Sequence, residues 1–247
     1  MEVGSNTVLV TGGASGIGLA LAERFLRAGS RVIVCGRRAE KLREVEARHA
    51  GVVTRVCDVA EESERVALYE WAVAEFPELN VLVNNAGIQR RLRLDGGEEW
   101  GATRQEIAVN FEAPVHLTTL FVPRLLGLPR GAVVNVTSGL AFSPLARVPV
   151  YCATKAALRS FTLSLRRQLA GTSVEVVEII PPAVDTDLGG PGLHTFGVPL
   201  DEFADSAFER LRAGETEIPY GMAEAASRAS RAELDAIFER MNSQEPA

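Results

Sequence analysis

Short runs of apolar, β-branched residues alternate along this chain with longer stretches whose apolar residues recur at helical spacing. The runs fall at residues 7–10, 32–35, 52–57, 80–83, 132–136 and 174–180. Between them the pattern predicts helices over residues 17–27, 39–48, 61–75, 99–126 and 150–169. Pro114 marks a kink or interruption within the fourth of these helices, because it removes an N–H and clashes with the preceding turn. Continuous rather than alternating apolar runs imply strands buried on both faces, the mark of a parallel sheet covered by helices on each side. Right-handed crossovers then give an α/β, Rossmann-type, doubly wound parallel sheet.

After Pro181 the rhythm changes. Residues 187–199 hold four glycines and two prolines and show little periodicity. A helix over 201–212, a short edge strand over 217–220 and a closing helix over 229–241 follow; Pro219 fits only an edge. Residues 187–213 read as a flap over the carboxyl ends of the strands, where ligands bind in such sheets.

Composition narrows the picture. The chain has 247 residues, 47% of them apolar, with no repeat or low-complexity linker. One domain over residues 1–247 is expected. A net charge of -6 disfavours nucleic acid as a partner. Neither a basic-then-apolar leader nor a stretch able to span a bilayer is evident, so a cytoplasmic protein is expected. The three cysteines, Cys35, Cys57 and Cys152, lack Cys-x-x-Cys spacing and read as reduced thiols, with Cys35 and Cys57 as possible neighbours in the sheet. No metal-ligand spacing occurs, and His49 and His116 show no partner pattern.

Two features carry chemistry. Thr11-Gly12-Gly13-Ala14-Ser15-Gly16-Ile17-Gly18 joins the first strand to the first helix. Glycines there let the backbone approach a pyrophosphate, which the helix N-terminus stabilises. The second feature is Lys155, one of only two lysines in an arginine-rich chain, four residues after Tyr151. That spacing puts both on one helix face. Lowering a phenol pKa by about three units needs about 4 kcal/mol. A unit charge about 4 Å away supplies that much at an effective dielectric near 20. The pair is therefore able to make Tyr151 a general acid/base.

Taken in order, the glycine loop, Asn84-Asn85-Ala86-Gly87, Asn110, Ser138 and Tyr151-Cys152-Ala153-Thr154-Lys155 resemble the short-chain dehydrogenase/reductase family in its short single-domain form, over residues 5–222. The run from Tyr151 to Leu158 and the tail Glu217-Ile218-Pro219-Tyr220-Gly221 are similar to the DltE-like branch of that family. The resemblance implies a hydride transfer between a nicotinamide coenzyme and a small-molecule carbonyl or secondary alcohol. It implies Tyr151 as proton carrier, Lys155 as its activator and ribose contact, Ser138 as donor to the substrate oxygen, and Asn110 as holder of a water in a proton relay. Capping, for Ser138, and a solvent-facing position, for Asn110, are the plain alternatives.

The resemblance also assigns coenzyme contacts to Gly12, Ser15, Gly16, Ile17, Gly18, Asp58, Val59, Asn85, Ala86, Gly87, Tyr151, Lys155, Pro181, Val184 and Thr186. Pro182 stands where the family usually has glycine, which leaves the local path at Thr186 open. Asp58 has a helix-capping role as its alternative. The coenzyme choice rests on the end of the second strand. Family members that use NAD carry an Asp there; this chain has Gly36, followed by Arg37 and Arg38. A guanidinium forks onto a 2′-phosphate, so NADP(H) is expected over NAD(H).

Arginines 90, 91 and 93 after the Asn-Asn-Ala-Gly motif read as a solvated loop, with an anionic substrate or a partner subunit as alternatives. His194 reads as an exposed loop residue or a substrate contact. Phe142, Leu145 and Val148 should wall the pocket and suit an apolar substrate. The family usually forms homodimers or homotetramers through the helices at 99–126 and 150–169. A catalytically silent, dinucleotide-sensing protein and a nucleotide-sugar epimerase or dehydratase are the rival readings. The first typically loses Tyr or Lys of the pair; the second usually runs longer.

Overall fold

The computed structural model describes residues 1–94, 96–97 and 100–243. Its strands are β1 (Thr7–Thr11), β2 (Arg31–Gly36), β3 (Val52–Val56), β4 (Val81–Asn84), β5 (Gly131–Val136), β6 (Val174–Ile180) and β7 (Glu217–Pro219). They form one parallel sheet in the order β3-β2-β1-β4-β5-β6-β7. Register explains the continuous apolar runs. Ile33, Leu9, Leu82, Val133 and Val176 lie side by side across five strands, and so do Val34, Val10, Val83, Val134 and Val177. Successive side chains point to opposite faces. The first row enters one apolar core and the second row the other.

Helices α1 (Gly16–Arg27), α2 (Ala39–Arg48) and α7 (Leu200–Arg212) contribute to the core on one face, where Phe25 meets Phe208 edge-on at 5.1 Å. On the other, α3 (Glu62–Glu75), α5 (Ala113–Leu125) and the end of α6 (Pro149–Gln168) cover the sheet, with Tyr69 edge-on to Phe121 at 5.0 Å. Each fully buried leucine or phenylalanine of the two cores stabilises the fold by roughly 1.5–3 kcal/mol. The chain winds outward from β1 to β3 and then returns to place β4 on the other side of β1. That reversal opens a crevice above the carboxyl ends of β1 and β4.

Three details refine or depart from the sequence expectation. The helix expected over 99–126 is three pieces: α4 (Trp100–Ile107), a wider π turn over Ala108–Glu112, and α5. Glu99 lies outside the described residues. Within the π turn the Ala113 N–H donates to the Ala108 carbonyl, five residues back. Pro114 cannot donate to the Asn110 carbonyl, so the bond ladder shifts here. Helix α7 is a core layer rather than flap: Phe203, Ala204, Ala207 and Leu211 are buried. The stretch before it and Leu200 at its start border the crevice, the base held by Val198 N–H to Ala183 O at 2.9 Å and Asp185 N–H to Val198 O at 2.9 Å. A short helix α8 (Met222–Arg228) stands where none was expected, before α9 (Arg231–Asn242). A reciprocal Ser230–Glu233 capping box starts α9. Among the described residues no helix is long and apolar enough to cross a membrane, and no group of three or more His, Cys, Asp or Glu is placed to hold a metal.

Candidate active site

Every strand that ends at the crevice delivers a functional segment to it. A cleft of about 1570 Å³ runs along the carboxyl ends. That exceeds the ~300–1,000 Å³ of a single small-ligand pocket, leaving room for a coenzyme and a second molecule.

The turn after β1 is built for close backbone approach. Gly12 has φ +65° and Gly16 φ +53°, in the left-handed region that favours glycine. A Cβ on Gly18 would collide with Asn85 Nδ2 and lie 2.5 Å from Gly12 O. Ser15 precedes α1 without a side-chain cap, so the first N–H groups of the helix have no capping oxygen. A Cβ on Gly16 would lie 3.5 Å from Thr186 Cγ2, which shows how narrow the space is between this turn and the segment after β6. Bare helix N–H groups, absent side chains and a facing threonine fit a dinucleotide pyrophosphate.

Thr11, which the sequence reading left out of the site, ties the tips of β1 and β4. Its Oγ1 accepts from Asn85 N at 3.0 Å and Ala86 N at 3.1 Å. Asn85 Nδ2 donates back to Thr11 O at 2.9 Å. The signal was its place at the head of the glycine loop.

At the end of β2, Arg38 donates to Ser15 Oγ at 2.8 Å, while Arg37 lies 3.6 Å from Asp58. Asp58 Oδ1 also accepts from Ala60 N at 3.0 Å, a local turn ahead of α3; the N-cap position of that helix is Glu61, so Asp58 does not cap it. Cys57 lines the cleft, and its thiol donates to Glu64 O at 3.7 Å. All the residues expected to contact coenzyme border the cleft, from Gly12 through Val59, Ala86 and Gly87 to Pro181, Val184 and Thr186.

The catalytic candidates converge deeper in the cleft. Ser138 caps the single helical turn Gly139–Ala141, accepting from Leu140 N at 3.1 Å, and its hydroxyl lies near enough to Tyr151 to favour the ionised phenol. Tyr151 sits in the first turn of α6 and Lys155 one turn on, its Nζ 5.7 Å from the tyrosine ring centroid. Lys155 Nζ donates to Val136 O at 2.8 Å.

Asn110 is wholly buried rather than solvent-facing. Its Oδ1 accepts from Ile88 N at 2.9 Å; its Nδ2 donates to Ile88 O at 2.8 Å and to Thr154 Oγ1 at 3.2 Å. Asn110 therefore clamps the loop after β4 to α6 between Tyr151 and Lys155, behind the cleft wall. Gly87 lies in front of it: a Cβ there would be 3.6 Å from Asn110 Oδ1 and 3.7 Å from Lys155 Nζ.

Electrostatics at this pair run against the simple expectation of a phenol lowered by lysine. Burial pushes the Tyr151 hydroxyl up, opposed in part by the Ser138 hydroxyl, and the neighbouring Cys152 thiol and Glu106 carboxyl add to the rise. Burial likewise pushes Lys155 down to about 8. Loss of water disfavours the charged form of both groups, and the ammonium bonds to the Val136 carbonyl rather than to the phenol. Glu106 is a buried carboxylate that the sequence reading missed. Its signal was a charge four residues before Asn110 on the same helix face.

Leu140, Leu145 and Leu188 pack against Tyr151 and Val148. Phe142, expected in the pocket wall, instead lies under the Arg159 guanidinium at 4.3 Å. Arg90, expected in a solvated loop, is docked on α4: its guanidinium donates to Ala102 O at 2.5 Å and Gln105 Oε1 at 2.6 Å. His194 borders the cleft, with Nδ1 buried and lacking a hydrogen-bond partner among the described residues. His49 and His116 do have partners: Glu23 lies 3.1 Å from His49 Nε2, and Arg65 donates to His116 Nδ1 at 2.9 Å.

Comparison with known proteins agrees with this geometry. The short chain dehydrogenase family model matches residues 6–193. The chain belongs to the short-chain dehydrogenase/reductase family, a group of NAD(P)-binding oxidoreductases. It is 51% identical to the uncharacterized oxidoreductase DltE of Bacillus subtilis, over 99% of this chain and 100% of that one. It is 34% identical to the NADP-dependent 3-hydroxy acid dehydrogenase YdfG of Salmonella typhi, over 72% of each. A short chain dehydrogenase from Burkholderia cenocepacia, solved in complex with NADP, superposes with a TM-score of 0.84 at 26% identity, covering 100% of both chains.

Proposed function

We propose that this protein is an NADP(H)-preferring oxidoreductase that interconverts a secondary alcohol and a carbonyl, with Tyr151 as general acid/base. The observation that carries the reading is Ser138, Tyr151 and Lys155 brought together, the lysine one turn after the tyrosine, on the wall of a glycine-floored cleft. When bound, nicotinamide supplies or accepts the hydride. The substrate oxygen gains a proton from the Tyr151 hydroxyl in reduction and loses one to it in oxidation. Ser138 donates to that oxygen as charge develops. Lys155 holds the ribose and the positive charge that favours tyrosinate. Asn110 fixes the β4 loop against α6 and keeps the pair in register.

Support for NADP comes from Arg37, Arg38 and the Ser15 hydroxyl gathered beside Gly36, where a carboxylate would oppose a 2′-phosphate. The names of the Salmonella and Burkholderia relatives speak for the same coenzyme. A cytoplasmic site and pairing of two copies through α5 and α6 belong to the same reading. The three free cysteines and the exposed Leu163 of α6 are in keeping with them. Tyr151→Phe tests the core of the proposal. NADPH binding, followed by fluorescence, should persist while turnover of every ketone, aldehyde or quinone in a screen is lost. A variant with wild-type rate would refute it.

A further inference from the structure

The cleft has a charge opposite to that of the molecule. The chain carries a net -6, yet seven basic side chains and only three acidic ones line the cleft. Arg37, Arg38 and Lys155 belong to the coenzyme half, and Arg90 is spent on α4. Arg147 has partners of its own. Arg91 and Arg240 remain, and with Arg147 they come from three separate segments.

Hydrogen bonds between those segments gather the three at one mouth. Leu92 N donates to Arg147 O at 3.0 Å, joining the loop after β4 to the loop before α6. Ala146 N donates to Asn242 Oδ1 at 2.7 Å, and Asn242 Nδ2 to Pro144 O at 3.2 Å, joining that loop to the end of α9. Leu145 N and O both meet the Cys152 thiol, at 3.3 and 3.7 Å, which anchors the assembly one residue from Tyr151. Of the acids on the cleft wall, Asp58 faces Arg37, and Asp185 and Asp187 lie on the segment after β6. Among the described residues, no carboxylate lies within ion-pair distance of Arg91 or Arg240. Between this mouth and the tyrosine hydroxyl the wall is apolar, made by Leu140, Leu145 and Leu188.

We infer that the substrate is an anionic alcohol or carbonyl compound: an apolar body carries the reacting carbon to Tyr151, and a terminal carboxylate or phosphate stays at the mouth with Arg91 and Arg240. Guanidinium groups match either oxyanion by forked hydrogen bonding. A positive cleft in a negative molecule also concentrates such a substrate at the site. The basic residues after the Asn-Asn-Ala-Gly motif thereby divide their work: Arg90 braces the loop and Arg91 meets the ligand. This inference rests on the oxidoreductase reading above and adds the substrate's charge to it.

The test oxidises secondary hydroxy acids of graded chain length with NADP+, each paired with its methyl ester and with the corresponding hydroxyalkyl phosphate. The acid or the phosphate should exceed the ester in kcat/KM, and the excess should shrink as salt rises. Which of the two anions is favoured identifies the source of the charge. Arg91→Gln and Arg240→Gln should each cut the anion-over-ester ratio about threefold to fivefold, as for exposed ion pairs, chiefly through KM, in proteins that retain the wild-type melting profile and NADPH affinity. Esters used as well as the anions, or a double variant with an unchanged ratio, would overturn the inference and leave the oxidoreductase reading standing. If no alcohol of any charge is oxidised, with NADP+ or NAD+, it is that underlying reading that fails.

Discussion

Replacing Lys155 by methionine separates what this side chain does for chemistry from what it costs the fold. Lys155 is 4% exposed, and burial pushes its ammonium from 10.5 down to about 8. At 1.36 kcal/mol per pH unit, holding the charge there costs the folded state about 3 kcal/mol. Methionine has a similar length, carries no charge and packs adaptably. It loses the hydrogen bond to Val136 O, worth about 1 kcal/mol. The net is a gain of about 2 kcal/mol near pH 6.5, or roughly 4–8 °C in Tm for a chain of this size.

The pH dependence has a definite sign. Between about pH 8 and 10.5 the unfolded chain binds the Lys155 proton and the folded protein does not, so wild-type stability rises with pH across that window. Below pH 8 the cost is constant. The advantage of Lys155→Met should therefore be full at pH 6.5 and mostly gone at pH 9.5. Thermal melts of the coenzyme-free proteins at the two pH values measure it, while NADPH oxidation should fall at least about a hundredfold. A variant that melts below the wild type at pH 6.5 would refute the claim that burial governs this lysine.

Two further substitutions probe the coenzyme end and the clamp. At Gly36 the nearest atom to an added Cβ is Ala14 Cβ at 3.9 Å and φ is not positive, so Gly36→Asp fits; its carboxylate should lower the NADP-over-NAD ratio of kcat/KM at least about tenfold. Asn110→Ala strips partners from Ile88 N–H, Ile88 C=O and Thr154 Oγ1 in a fully buried place. It should cost about 3 kcal/mol, seen as a lower urea midpoint at unchanged slope, and reduce kcat more than KM.

The alternation of strands and helices was legible because the central strands are buried on both faces, although β3 at the edge is partly exposed. Rows such as Ile33–Leu9–Leu82 leave no polar position to blur the pattern. Positions along the glycine loop were legible because backbone approach demands particular residues. What escaped depends on contacts distant in sequence. The amphipathic face of α7, from Phe203 to Leu211, reads as a helix, but nothing local says that it packs on the sheet core instead of covering the cleft. Helix α8 is seven residues long, too short to show a period. Arg90 looks solvated until α4 presents the Ala102 carbonyl beside it. The Tyr151–Lys155 spacing gives proximity, whereas the direction of both pKa shifts follows from burial, which spacing does not encode.

That burial leads to a last prediction. In the coenzyme-free protein the tyrosine favours its neutral form, the lysine is pushed toward its neutral form, and Glu106 repels a tyrosinate. The acid/base pair is thus not yet tuned. Negative phosphate groups in the cleft would favour the Lys155 ammonium and raise its pKa above 8. Linkage then requires that NADP+ binding near pH 8.5 draw a fraction of a proton from solvent, whereas at pH 6.5, where Lys155 is already charged, this group takes up none. Calorimetric titrations in buffers of different ionisation enthalpy count that proton. The Lys155→Met variant isolates its source, since it should still bind NADP+ and lose the uptake at pH 8.5. Uptake that survives in the variant would locate the titrating group elsewhere, and no uptake in the wild type would mean that the lysine is tuned before the coenzyme arrives.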